Sequence, residues 1–326
     1  MGQINRVFRY FCIILICFGI YLSLQYVAHG DIIFHTDIAR DFMLMQEMWE
    51  NGKPSLIGAK IGPVQGLFHG PLWLYLNMPA FILGHGNPVV VGWGWVVMEV
   101  IFLISTYYIV KEIFSQNAAL LASLFIASRL AFTSHQLFNP SGAIMLTPLM
   151  FYLLWKYFKD HKSRYLIYLS LVLGCIIQFE AAYGVPMTIL SFIAVVFESM
   201  RLKKYFHFLY LSAILLPLST YIIFDLRHNF IQFSSLLTYI TSSKTVGLPF
   251  GNFLLTRLNS MIDASFGFLA PSPAIWGKII FLIFPLLVLV KGSHMPSKSK
   301  IPYVLYSYLF FGFWLIACFY PGKVEG

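Results

Sequence analysis

His29 to Leu76 reads HGDIIFHTDIARDFMLMQEMWENGKPSLIGAKIGPVQGLFHGPLWLYL, a polar break between hydrophobic segments. Where this stretch sits decides the fold. It holds five of the chain's thirteen carboxylates: Asp31, Asp37, Asp41, Glu47 and Glu50. Arg40, Lys53, Lys60, His35 and His69 lie in it as well.

The sequence around it is apolar. Over the whole chain 59% of residues are hydrophobic, 18% aromatic and 11% charged, and the mean hydropathy is +0.75. A soluble domain carries about 25% charged residues, so the composition predicts an all-α polytopic membrane protein. Arg6 and Arg9 precede an apolar run from Tyr10 to Ala28. That run is too long for a signal-peptide core and has no small-residue cleavage site, so it predicts a retained first helix. Cys12, Cys17, Cys175 and Cys318 all lie inside apolar runs without metal-ligand spacing and read as packing residues.

Further apolar runs long enough to span occur at roughly 88–110, 118–137, 141–158, 165–180, 181–198, 207–224, 274–290 and 301–320. The run 71–84 is shorter and contains Pro79, below the ~17–25 residues a spanning helix needs. Basic residues in short connections mark the cytoplasmic side. If 71–84 does not span, thirteen of the twenty-two Lys and Arg residues fall on the side of the N-terminus. They are Arg6, Arg9, Lys111, those of KYFKDHKSR (Lys156–Arg164) and RLKK (Arg201–Lys204), and those of KGSHMPSKSK (Lys291–Lys300). If 71–84 spans, every later cluster flips outside. The first arrangement predicts nine spans in a single domain over 1–326, with the N-terminus inside. Its first external loop is about 29–87 and its second large one about 225–272. The net charge of +9 is then a topology signal, and no nucleic-acid partner is expected.

Within the first loop, Asp37–Asn51 predicts an amphipathic helix, with Ile38, Phe42, Met45, Met48 and Trp49 at helical spacing. Thr36 or Asp37 is placed to cap it, Gly52 and Pro54 to end it, and its apolar stripe is expected in the acyl boundary. Asp37 and Arg40 are three apart, a helical neighbour pair. On spacing alone they read either as a site or as a cap and a solvated ion pair. Glycines 58, 62, 66 and 70 with Pro63 and Pro71 make a turn-rich hinge. It leads into 71–84, expected to lie along or dip into the outer leaflet.

Five features, in order, resemble the GT-C glycosyltransferases, in particular the bacterial branch related to protein O-mannosyltransferases and lipid A aminoarabinose transferases. The first is DIARDF, with an acidic residue followed by Arg in the first external loop. GPVQGLFHGPLWLYL (62–76) resembles the family's Gly-rich stretch leading into a Gly-Pro-aromatic-Tyr segment. SRLAFTSHQLFNP (128–140) resembles its external turn, IIQFEAAYG (176–184) carries Gln178 where relatives have Gln, and FDLRHNF (224–230) resembles a segment ending a later span. Relatives are usually longer, so a C-terminal part of the family is expected to be missing here.

The resemblance implies a polyprenyl-phosphate sugar as donor and chemistry on the external face of the cell membrane. The acceptor would be a lipid, glycan or protein, and the displacement direct and inverting. It points to Asp37 as the base on the acceptor, and to Arg40 on the phosphate or orienting Asp37. Substrate-binding candidates are Lys60 and His69 (phosphate), Asp41 (a second acid), Asn139 (sugar), Glu180 (cavity wall), and Arg227 with His228 (phosphate or acceptor). Asn139 also reads as a turn residue before Pro140, and Arg227–His228 as a helix anchor at the head groups. Arg129 reads as a site residue in the external turn or as a snorkelling cation, and Glu99 as a functional intramembrane acid or as one paired with Arg129 or Tyr107. No cofactor is expected: the chain has no HxxxH or DxD motif, although some relatives use a divalent ion. Two other classes remain: a lipid-linked-sugar transporter or flippase, and a truncated non-catalytic membrane subunit. Charges gathered on one face favour surface chemistry over alternating access.

Overall fold

The computed structural model describes residues 2–62, 65–242, 252–253, 255–257, 259–260, 274–296 and 299–318. Those residues are almost wholly helical. In chain order they form α1 (Gly2–Ala28), α2 (Thr36–Asn51), α3 (Leu72–Leu83), α4 (Pro88–Ile113), α5 (Gln116–Thr133), α6 (Asn139–Asp160), α7 (Arg164–Phe179) and α8 (Ala181–Arg201). A 3-10 helix (Tyr205–Leu215), α9 (Ser219–Arg227), α10 (Ile231–Ser242) and the helices Ala274–Ser293 and Ile301–Cys318 follow. Among the described residues the nine predicted apolar runs fall mostly on helices. Among the described residues, three helical segments have by themselves the length and apolar composition to cross a membrane: Arg6–Ala28, Pro88–Ile113 and Ala181–Arg201. The 3-10 helix and α9 pass only as a pair bent by 61°, and α7 has sixteen residues. Much of the expected 225–272 loop lies outside the described residues; α10 occupies its beginning. The chain end after Cys318 lies outside them too.

Local sequence explains where the helices start. Asn87 precedes Pro88 and its Oδ1 accepts from the Val89 N–H at 2.9 Å. Ser115 Oγ accepts from the Ala118 N–H at 3.2 Å. Glu180 breaks α7 from α8, and its carboxylate accepts from the Ala182 N–H at 3.1 Å. Each side chain satisfies a donor that a helix start leaves free. Two cores result. Cys12, Ile16, Leu103, Leu120, Ala127 and Leu130 hold α1, α4 and α5 together. The larger core joins α2, α3, α6, α7 and α8. Gly142 marks one close approach in it, since a Cβ there would meet the Phe179 ring at 2.7 Å.

Helix α3 is the floor beneath the first loop. Twelve residues reach only about 18 Å, short of a ~30 Å hydrocarbon layer. It is tied down sideways: the buried Asn77 amide donates to the Trp73 carbonyl at 2.8 Å, and its Oδ1 accepts from Trp95 Nε1 of α4 at 2.7 Å.

Two expectations for α2 are corrected. His35, not Thr36 or Asp37, is the cap: its Nδ1 accepts from the Asp37 N–H at 3.3 Å. The helix ends, as expected, at Gly52, whose φ of 61° is left-handed. Its apolar stripe meets protein. Ile38, Phe42 and Met45 are buried, and the Phe42 ring packs edge-on against Phe34 and Phe81 at 4.9 and 5.6 Å. The α3 and 29–35 segments supply apolar partners, and each such burial contributes about 1.5–3 kcal/mol. Met43 and Trp49 are the large apolar side chains that the helix leaves exposed.

Candidate active site

The first two turns of α2 carry three ionisable side chains in two different states. Asp37 and Arg40 form an ion pair at 2.9 Å, both partly exposed. Asp41, one residue on, turns inward and is 4% exposed. Its Oδ1 and the Nε of Arg40 are buried without hydrogen-bond partners. Burial pushes the Asp41 carboxyl up to about 7; the Arg40 charge opposes this and the Asp37 charge adds to it. A carboxyl taken out of water favours its neutral form.

His69 comes from the other side of the loop. Burial lowers its pKa to about 4, and the Arg40 charge lowers it further; the Phe179 backbone and the Asp37 charge act the other way. The ring is therefore neutral at pH 7, within the field of the α2 pair, and its Nδ1 has no partner. The backbone around it is held on both flanks. Gly58 N–H donates to the His69 carbonyl at 2.7 Å, and His69 N–H to the Ala59 carbonyl at 2.8 Å. Gly70 N–H donates to the Gln178 carbonyl at 2.8 Å.

Gln178 proves to be the organising side chain. It is buried at the end of α7. Its Oε1 accepts from the Leu72 N–H at 3.2 Å and its Nε2 donates to the Pro217 carbonyl. One amide thus joins the loop, the start of α3 and the break before α9. A Cβ at position 70 would strike it at 2.6 Å, so glycine is required there.

Asn139 opens α6 close to this cluster. Phe138 meets the His35 ring edge-on at 5.1 Å, and Gly142 packs on Phe179. Asn139 is buried with Oδ1 unpartnered. Glu180 is half-buried and serves as the cap of α8, next to Phe179. Lys60 is exposed and pairs through its backbone with Phe68. Arg227 and His228 are exposed at the end of α9. His228 stacks on Phe224 at 4.1 Å, and Phe224 touches Phe68 at 5.8 Å. So the fold gathers Asp37, Arg40, Asp41 and His69, with Asn139 at the neighbouring helix start. No contact joins Lys60, Arg227 or His228 to that group among the described residues.

Asp225 has a structural role that its sequence context did not reveal. Its two oxygens accept from the Gln232 and Phe233 N–H groups at 2.8 and 3.1 Å and start α10. Gln232 Oε1 in turn accepts from the Phe68 N–H at 3.3 Å. Glu99 is 1% exposed, with both oxygens lacking hydrogen-bond geometry; the Ser23 hydroxyl and the Arg129 charge act on it across α1, α4 and α5. Among the described residues no three His, Cys, Asp or Glu side chains gather as a metal-holding group.

Residues 69–224 match the family model described as dolichyl-phosphate-mannose-protein mannosyltransferase. No curated protein and no solved structure matches the chain. The matched segment runs from His69 through Asn139, Gln178 and Glu180; α2 precedes it, and Arg227 and His228 follow it.

Proposed function

From the premise that this chain is a membrane glycosyltransferase of the GT-C kind, we propose that it moves a sugar from a polyprenyl-phosphate donor to an acceptor hydroxyl or amine at the α2 end of the bundle, on the external face of the cell membrane. Asp37 is the base. It takes the proton from the acceptor as the acceptor atom attacks the anomeric carbon. The bond from that carbon to the phosphate oxygen breaks with inversion, and the polyprenyl phosphate leaves. Arg40 orients Asp37 through their ion pair, and its free Nε–H is a donor for the departing phosphate. Neutral His69 offers an Nδ1 and Asn139 an Oδ1 to the sugar. Lys60, Arg227 and His228 ring the entrance, where the acceptor or the phosphate arrives, and Glu180 lines the wall behind Phe179. The cations at the site belong to the chain, and the displacement needs no divalent ion.

One observation carries this reading. Four buried polar atoms, on Arg40, Asp41, His69 and Asn139, are unpartnered at one end of the fold. Buried polar groups are nearly always hydrogen-bonded. An unsatisfied set drawn from three segments is what a polar ligand would complete.

The test is transfer by purified protein from defined polyprenyl-phosphate sugars, with and without EDTA. Asp37→Asn is expected to lower transfer about 10²–10⁴-fold, the scale of general-base help, with insertion intact. A variant as active as the parent removes Asp37 from the role. Asp41 is the second reading for the base, favoured by a carboxyl near 7, where proton acceptors work best. If Asp41 is the base, Asp41→Asn abolishes transfer and Asp37→Asn only weakens it. Loss of activity in EDTA, restored by a divalent ion, overturns the metal-free displacement.

A further inference from the structure

One cleft lies away from Asp37. It has a volume of about 790 Å³ and lies between the end of α6, the second half of α8 and the start of the helix Ile301–Cys318. Helices α6 and α8 begin at Asn139 and just after Glu180 and run twenty-two and twenty-one residues, roughly 30 Å. The cleft therefore opens at the opposite membrane face, the end that carries the basic connections.

Its walls and its rim differ in chemistry. Ile193, Phe197 and Val304 line it and are uncovered, Phe197 being 69% exposed. Lys159, Arg201 and Lys300 stand around it. The one carboxylate that lines it, Glu198, is already engaged, with Arg201 Nη2 at 2.6 Å and His161 Nδ1 at 3.7 Å. Lys159 sits over the Trp155 ring, 4.5 Å from its centroid, and among the described residues Lys300 has no acidic partner. The balance of these formal charges is positive, next to an aliphatic trough.

We propose that this cleft binds an anionic glycerophospholipid of the leaflet opposite the active site. The phosphate sits between Lys159, Arg201 and Lys300, and one acyl chain lies along Ile193, Phe197 and Val304. Charge complementarity selects this occupant. A zwitterionic lipid satisfies the trough but adds no net negative charge to the rim, and basic pockets between helices on the cytoplasmic side are where anionic head groups are held. The volume falls in the range of small-ligand sites, roughly 300–1,000 Å³. The lipid joins the last described helix to α6 and α8 from the side.

The experiment is native mass spectrometry of the full chain released from nanodiscs of equimolar phosphatidylglycerol and phosphatidylcholine. The parent protein is expected to retain phosphatidylglycerol selectively. A lysine at the surface of an anionic leaflet is worth about fivefold in binding, so Lys159→Gln/Lys300→Gln is expected to erase most of the preference, more than tenfold. Lys300→Gln alone, the milder change, should lower it by about fivefold. Ala194→Trp, which fills the trough, should remove the bound lipid while leaving the charges in place. Three results overturn the proposal. They are no preference in the parent, an undiminished preference in the lysine variants, and a lipid-free dimer that covers the cleft with a second copy.

Discussion

The two ends of α6 and α8 keep their polar groups in opposite states. At the basic end, the buried Tyr157 hydroxyl is bonded to Ser199 Oγ at 2.8 Å and His207 Nδ1 at 3.1 Å. Nearby, Glu198 holds Arg201, and Glu112 takes both Lys156 and the Tyr152 hydroxyl. At the acidic end Asp41 and Asn139 are buried and His69 is half-buried, and each has a buried atom with no partner. Burial costs the same at both ends. At the basic end the chain supplies most of the hydrogen bonds that offset it, His161 Nδ1 excepted, and at the other it leaves the whole set open. Groups that serve the fold are saturated by the fold, and an unsaturated set is left for something that the fold does not contain. By this measure the cleft is the poorer guide to the chemistry. Its polar groups are mostly spoken for, and its free feature is a cationic rim.

The comparison breaks most readily at Gln178, because that side chain holds the His69 loop, the start of α3 and the break before α9 together. Gln178→Leu keeps the bulk but removes both amide functions. The Leu72 N–H and the Pro217 carbonyl then lose their partners, at about 1–3 kcal/mol for each buried group left unsatisfied. The predicted outcome is a loss of several kcal/mol in unfolding free energy and a fall in kcat/KM of at least tenfold. A thermal melt and a transfer assay on the same preparation check both. Unchanged transfer with a lowered melting point would mean that the loop holds its register without Gln178, and that the unsaturated end is less preorganised than its geometry implies.

A medium-sized effect separates Asp41 from His69 by the sign of a pH slope. The Asp41 carboxyl has a folded pKa of about 7 against 3.8 for the free side chain. Between those values the unfolded chain is ionised and the folded one is not, so stability falls as pH rises. His69 has a folded pKa of about 4 against 6.5. Between those values the unfolded chain holds the extra proton, so stability rises with pH. Each slope is about 1.4 kcal/mol per pH unit, and over about pH 4 to 6.5 the two oppose each other. Asp41→Asn should therefore unmask a rising stability in that window, and His69→Gln a falling one that continues to about pH 7. Melts at half-unit steps decide it. Two variants with slopes of the same sign would show that one of these groups is hydrated in the folded protein.

Part of this arrangement is legible in the sequence. The apolar runs fall on the helices because hydropathy acts locally, and the shortness of 71–84 follows from counting residues against a bilayer. The Asp37–Arg40 contact is fixed by helical spacing. What is not legible joins positions far apart in the chain. Gln178 bonds a backbone N–H 106 residues before it and a carbonyl 39 residues after it, and no spacing rule connects them. The amphipathic pattern of α2 says that one face is apolar; that Phe34 and Phe81 cover it depends on where α3 is tied. Asp41 and Asp37 look alike in DIARDF, and only the packing buries one and pairs the other. Asp225, in a segment noted for its resemblance, turns out to start a helix.

The smallest expected effect tests the saturated end. Tyr157→Phe removes one hydroxyl and leaves the ring, which is fully buried and packs edge-on against Phe158 at 5.9 Å. Ser199 and His207 lose a partner each, but both are near helix ends, where a small rearrangement re-pairs them. A net cost of about 1 kcal/mol is expected, seen as a drop of a few degrees in the melting temperature. Transfer activity should stay within twofold of the parent, since roughly 30 Å of helix separates this residue from Asp37. A tenfold loss of activity from so small a change would couple the two ends. The hydrogen-bonded network would then hold the helices that present Asn139 and Glu180 in register, and the saturated end could no longer be treated as scaffold alone.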